Sequence, residues 1–155
     1  MDILKSQELY LHIFENAIVA IGVTGSSGEY ILVNKAWCDF LGYTNEEAKT
    51  LSVHDITPLE DRATSQNTLE SLMSGEQISF RKRRRYLRKD GSIFWADLYV
   101  SAIHDVHGDR TGVLGIFTNI DREVKAEQAQ NELTGYLEKL NEDLQNAHAA
   151  MSHKN

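Results

Sequence analysis

The sequence predicts an α+β domain whose short helices gather over one face of an antiparallel sheet, with one long helix after it. Three observations carry that expectation. Two β-rich runs come first, "AIVAIGV" and "EYILVN", joined by "GSSG". Helix caps and short amphipathic segments then fill residues 35–75. Three longer β runs follow, at about 78–89, 92–104 and 111–120, separated by "KDGS" and "VHGD". That order suits a sheet that buries one face beneath helices and is closed by a meander.

Residues 2–15 read as an amphipathic helix, with Asp2 as N-cap and Ile3, Leu4, Leu11 and Phe14 near one stripe. After the first hairpin, Asn34 can cap "KAWCDFLG" with Gly42 as its stop. Thr44 and Glu47 form a capping box for the next short helix. Thr57 with Pro58 at the first helical position opens a longer helix that stops at Gly75. Asp90-Gly91 suits a type I′ hairpin turn, in which both central residues take positive φ. In the strand that follows, Phe94, Ala96, Leu98, Val100 and Ala102 share the core face, and Trp95, Asp97, Tyr99 and Ser101 share the other.

From Asp121 the pattern changes. Ala126, Leu133, Leu140 and Ala147 alternate with Gln130, Leu137, Leu144 and Met151 at spacings of three and four, a heptad seam of about four heptads. A helix capped by Asp121 and running to the end is about 48 Å long, too long to fold back over a small domain. Its stripe of Leu133, Leu137, Leu140 and Leu144 therefore calls for a partner chain, and a homodimer is the expectation. Gly135 falls on the outer face and weakens the helix by about 1 kcal/mol relative to alanine.

The 155 residues make about one domain, of a size that buries roughly 68–70% of its unfolded surface. Apolar content of 41% and charged content of 25% are ordinary globular values and indicate neither disorder nor a fibrous repeat. Cys38 is the only cysteine, so neither a disulfide framework nor a thiolate metal cluster can form within one chain, and no metal site is expected. No run approaches the length of a membrane span, and "MDILKSQELYLHIF" carries acids where a signal peptide is basic and then apolar. A cytoplasmic location with no membrane segment is the expectation.

The net charge of −7 argues against a general polyanion binder, yet Arg81, Lys82, Arg83, Arg84, Arg85, Arg88 and Lys89 crowd one segment. Alternation along a strand sends Lys82 and Arg84 to one face and Arg81, Arg83 and Arg85 to the other, so no continuous positive stripe forms. No reading helix accompanies the run, and nucleic acid is not an expected partner. The charges are expected to protect a sheet edge, with one arginine able to turn inward toward an anion in a pocket or an acidic residue across the sheet.

Taken in order, "ILVNKAWCDFLGYTNEEA", "HDITPLEDRA", "LMSGE", "RYLRKDGSIFWADLYVSAIHDVHGDRTGVLGIFTNID" and "REVKAEQ" resemble the PAS sensory domain with its signalling helix. The resemblance covers roughly residues 12–127. It implies a five-stranded antiparallel sheet with short helices over one face, and a ligand or cofactor pocket between them. It also implies a non-catalytic role, in which the domain biases a coiled coil joined to a kinase, a nucleotide cyclase or another output. The organisation is then an N-terminal amphipathic helix over residues 1–15, the PAS domain over 16–120 and the signalling helix over 121–155. The family's exit triplet Asp-Ile-Thr stands here as Asn119-Ile120-Asp121, so the polar contact at the signal exit comes from the Asn119 amide or is remade by Asp121.

The light-oxygen-voltage members of the family need a reactive cysteine near residues 52–57, where this chain has "SVHDIT", so covalent flavin is not expected. Haem-binding members take an axial histidine from the longer helix; residues 61–75 contain none, and haem is not expected either. His54, just ahead of that helix, reads as a hydrogen-bonded structural histidine. Cys38 reads as an inert thiol beside Trp37 and Phe40, and His104 and His107 as solvated turn residues. Trp37, Tyr43, Trp95 and Tyr99 are able to stack on a planar ligand or to serve as core and interface. The pocket candidates are Trp37, Tyr43, His54, Phe94 and Leu98. Met151-Ser152-His153 resembles the start of the phosphoacceptor box of sensor histidine kinases, with His153 as phosphoacceptor or as a chance match. The expected function is that of a sensory module transmitting through a dimeric coiled coil. Its rivals are an input fragment of a histidine kinase and a pure dimerisation module.

Overall fold

A computed structural model of the chain describes residues 2–152. Helix α1 (Ile3–Asn16) is capped by the Asp2 carboxylate and buries none of its residues. Strands β1 (Ala20–Gly25) and β2 (Tyr30–Val33) form the first hairpin. Helices α2 (Lys35–Leu41) and α3 (Asn45–Ala48), a 3-10 turn at Val53–Ile56 and helix α4 (Arg62–Ser74) follow. Strands β3 (Ser79–Leu87), β4 (Ile93–His104) and β5 (Arg110–Asn119) complete the sheet, and helix α5 spans Asp121–Ser152. The sheet order is β2-β1-β5-β4-β3, with every neighbouring pair antiparallel. The last strand of the meander thus returns to the middle of the sheet, beside the first.

Asn34 holds one corner of the fold together. Its Oδ1 accepts from the backbone N–H of Ile21 (2.9 Å) and of Trp37 (3.0 Å), and its Nδ2 donates to the carbonyls of Phe14 and Val19, both at 3.0 Å. A fully buried amide with all these bonds made fixes the end of α1, the start of β1 and the N-terminus of α2 at once. Thr44 and Glu47 make their reciprocal bonds, and Gly42 and Gly75 end α2 and α4 in the left-handed region. The hairpin between β3 and β4 closes the other end of α2: Lys89 N–H donates to the Leu41 carbonyl and Arg88 Nε to that of Phe40.

Two local expectations are corrected. The longer helix starts at Arg62, after a 3-10 turn at Leu59–Asp61, and not at Pro58. The Thr57 hydroxyl is committed backwards, donating to the Val53 carbonyl at 2.6 Å, while its own carbonyl accepts from Arg62 Nε. The Asp90-Gly91 turn is not type I′, because among the described residues only glycines have positive φ. Gly91 N–H donates to the Arg88 carbonyl and Arg88 N–H to that of Ser92, a type I turn closed by left-handed Gly91. Asp90 Oδ1 accepts from both the N–H and the hydroxyl of Ser92, which holds Asp90 at negative φ.

The core lies between the sheet and α2, α3 and α4. Trp37, Leu41, Ile56, Leu72, Phe94 and Ala96 are fully buried there. Tyr86, Phe94 and Phe117 form an aromatic cluster with centroids 4.5–6.2 Å apart, with Phe40 packed against its edge. On β4 the alternation is as the sequence reads, with Phe94, Ala96, Leu98 and Val100 buried while Trp95 and Tyr99 face outward. The chain divides after Ile120 into two compact units, and the second is α5 alone. None of its described residues is buried; Leu133, Leu137, Leu140 and Leu144 are all exposed.

Candidate functional site

A cavity of about 80 Å³ lies between the sheet and α4. Period two along the strands builds its floor: Arg84 and Tyr86 from β3, Leu98 and Val100 from β4, Val113 and Phe117 from β5. Its roof is the helical stripe Ser65, Thr68, Leu69 and Leu72, at i, i+3, i+4 and i+7 of α4. Tyr30 of β2 and Trp37 of α2 close one side, with ring centroids 4.9 Å apart in an edge-to-face contact. Gly22 makes room for that pair: a Cβ there would stand 2.9 Å from Tyr30 Cε1 and 3.2 Å from Trp37 Nε1.

The lining is mostly apolar; its polar groups are hydroxyls, which donate and accept, and the donor-only Trp37, Arg84 and Arg85. Burial pushes the Tyr30 phenol well above its ordinary value, and likewise that of Tyr86, so both stay protonated. The Trp37 indole N–H is close enough to the Tyr30 oxygen to favour its charged form. The pair is not in bonding geometry, however, and the N–H is buried without an acceptor. The Thr57 hydroxyl is already spent on Val53.

Two arginines border the cavity and differ in their partners. Arg85 is held by Asp61 in a two-pronged contact, Nε to Oδ2 and Nη2 to Oδ1, each 2.9 Å, with Glu60 3.4 Å away. The Arg85 hydrogen bonds, and less strongly its charge, hold the Asp61 carboxyl below the usual aspartate range. Arg84 Nη2 donates to Thr68 Oγ1 at 3.1 Å and its guanidinium lies 5.8 Å from the Phe80 ring centre. No carboxylate of the described residues pairs with Arg84.

Of the residues the sequence offers for a pocket, Trp37 and Leu98 line this cavity. Tyr43 packs behind Trp37, 6.3 Å between centroids, and Phe94 lies inside the aromatic cluster. His54 Nε2 sits 3.0 Å from Gln66 Oε1, and Trp95 and Tyr99 belong to the opposite face of the sheet. Cys38 is half-buried, and burial with its acidic neighbours Asp39, Glu15 and Glu46 raises its thiol pKa, which leaves it a poor nucleophile. At the exit, Asn119 pairs with Ala96 at the end of β5 and Asp121 is the first residue of α5. His153 lies outside the described residues.

Sequence reasoning did not single out Tyr30, Tyr86, Arg84, Ser65 or Thr68. A signal for most of them was present. Arg84 and Tyr86 share the parity of the core face of β3, and Ser65, Thr68, Leu69 and Leu72 share one helical stripe. Most of the remaining basic run meets acids or carbonyls of this chain: Arg81 with Asp97, Lys89 with Glu47, Arg88 with Phe40. No described helix is long and apolar enough to cross a membrane.

A five-stranded antiparallel sheet with short helices and a cavity over one face defines a sensory-domain architecture. The PAS domain family profile matches residues 16–122, and the chain belongs to that family. It is similar to the probable diguanylate cyclase DgcE of Escherichia coli, 28% identical over 129 residues. That stretch is 83% of this chain and 12% of the cyclase. Against the sensor histidine kinase TmoS of Ectopseudomonas mendocina it is 25% identical over 128 residues, 83% of this chain and 13% of the kinase. Among solved structures, a PAS domain from Colwellia psychrerythraea matches 78% of this chain and 99% of its own, at 27% identity and a TM-score of 0.69. The chain thus spans about an eighth of the length of these curated relatives.

Proposed function

We propose that this chain is a non-catalytic sensory input segment. A small molecule occupies the cavity, and the state of the sheet passes through Asn119 and Asp121 into α5, which pairs with the α5 of a second copy and biases an output. The output is a kinase or a nucleotide cyclase, on the example of the relatives, and the module works in the cytoplasm. The observation that carries this reading is the leucine seam of α5. Its residues are 42–61% exposed, on a 32-residue helix that begins two residues after β5 ends. Each seam leucine covered by a partner contributes about 1.5–3 kcal/mol. The cavity supplies the other half of a relay. A bound molecule shifts the exit helix only by its difference in affinity for two arrangements, typically about 1–3 kcal/mol.

Cross-linking tests the relay. With Cys38→Ser as background, Leu140→Cys places a single thiol on the seam, and the expected result is a rapid inter-chain disulfide. A cavity-filling Leu98→Phe change should alter the oxidation rate at least twofold while leaving the fold intact by circular dichroism. Equal rates in the two backgrounds would reject coupling between cavity and helix.

A further inference from the structure

We infer that the cavity is a site for a short-chain carboxylate, held through Arg84 and the indole N–H of Trp37. The inference rests on the sensory reading above and names the class of ligand.

Size comes first. At about 80 Å³ the cavity is well under the several hundred Å³ of a site for a drug-sized ligand. It is about half of the roughly 150 Å³ that admits the six carbons of benzene, which corresponds to about three to four non-hydrogen atoms. Formate and acetate fall in that range, and propionate tests its upper limit.

Polarity narrows the class. Trp37 is fully buried, and its N–H, although near the Tyr30 oxygen, makes no hydrogen bond to it, an arrangement proteins avoid unless something else supplies the acceptor. An indole has no acceptor of its own to offer, so the missing group must bring a lone pair. Arg84 adds a positive charge at the same cavity, bonded only to the neutral Thr68 hydroxyl and to no carboxylate of the described residues. Its neighbour Arg85 shows the alternative, since that guanidinium already has Asp61 and Glu60 as counter-ions. Arg85 is hydrogen-bonded to Asp61, whereas Arg84 meets Asp61 only through a longer-range attraction of charge and makes no hydrogen bond to a carboxylate of the described residues. The guanidinium fork matches a carboxylate, and Tyr30 and Tyr86, which also line the cavity, add neutral hydroxyls. The leucine and valine part of the lining, Leu69, Leu72, Leu98, Val100 and Val113, suits a short alkyl tail. A molecule with an anionic head and one or two carbons behind it satisfies both halves.

The chain has two tryptophans, so the indole N–H region of a proton–nitrogen spectrum holds two signals. They separate the question cleanly, because Trp37 faces the cavity and Trp95 the opposite side of the sheet. The labelled chain is titrated with sodium acetate and sodium propionate, with sodium chloride as ionic-strength control and acetamide and propionamide as neutral isosteres. The expected result is a saturable shift of the Trp37 signal with the carboxylates and none of Trp95. The amides should bind at least tenfold more weakly. Arg84→Gln should weaken the carboxylates at least tenfold and leave the amides unchanged, and Arg84→Lys should restore part of the loss. Arg84 is half-buried and bonded to Thr68, so an unmoved Trp95 signal and an unchanged circular dichroism spectrum check that each substitution keeps the fold. If acid and amide bind alike, or if Arg84→Gln leaves the acid's affinity unaltered, the anion assignment falls while the cavity remains a ligand site. If no titrant moves Trp37 up to ~10 mM, both the assignment and the sensory use of the cavity fall together.

Discussion

The sheet and its helices differ from α5 in what each does with leucine. In the first region Leu41 and Leu72 are fully buried, and Leu98 is 8% exposed. In the second, Leu137 is 52% and Leu144 61% exposed, at regular heptad positions. Leucine makes up a similar share of each, 12 of residues 1–120 and 4 of residues 121–155, yet among the described residues only the first region buries any, because a sheet with helices over it can cover an apolar face within one chain and a single straight helix cannot. A region that presents an apolar stripe at spacings of three and four leaves that stripe exposed in the single chain, which is why a second copy is proposed to cover it.

The contrast is broken most severely by truncating one apolar side chain on each side of it. Phe94→Ala removes a fully buried ring from the aromatic cluster and should cost about 3–5 kcal/mol in chemical denaturation. Leu140→Ala should leave the midpoint of that transition unmoved while weakening chain association. Asn34→Ala should cost the first region about 2–3 kcal/mol, since it strands donors and acceptors of α1, β1 and α2 together.

A pH titration sharpens the comparison from the side of charge. Asp61 and Asp97 are held below the ordinary aspartate range, each chiefly by the hydrogen bonds of its arginine, Arg85 and Arg81 respectively. A carboxyl whose folded pKa is depressed stabilises the fold above the unfolded value of about 3.9, and that stability is lost as pH falls through the folded value. The sheet region should therefore lose stability below about pH 4, and Asp61→Asn should flatten the slope in that window. A slope unchanged by Asp61→Asn would show that the Arg85 contact carries no weight. The smallest effect is expected at Gly135, where an added Cβ meets nothing within 4 Å. Gly135→Ala should raise the helicity of α5 and stabilise it by about 1 kcal/mol, measured by thermal circular dichroism, without changing the sheet region.

What the sequence makes legible is what is decided locally. The caps of Asn34 and Thr44, the stop at Gly42 and the alternation of β4 each depend on residues within a turn or a strand of one another. The turn at Asp90 departs from type I′ because its side chain bonds Ser92, a choice that a two-residue Asp-Gly signature does not contain. Helix α4 starts later than Pro58 predicts because Thr57 serves the turn before it and not the helix after it. The cavity was legible only in part. Trp37 and Leu98 announce themselves by size and parity, whereas Arg84 and Arg85 are chemically alike in sequence. What separates them is Asp61, 24 positions from Arg85 along the chain and brought to it by packing.

Sedimentation of the intact chain beside its Leu137→Lys, Leu144→Lys double variant tests the central claim most directly, that the seam of α5 is completed by a second copy. The account predicts twice the single-chain mass for the unaltered protein, and a shift to one chain's mass in the variant with the sheet region still folded. An unaltered protein that sediments at the mass of one chain, or a variant that keeps the mass of two, would contradict it.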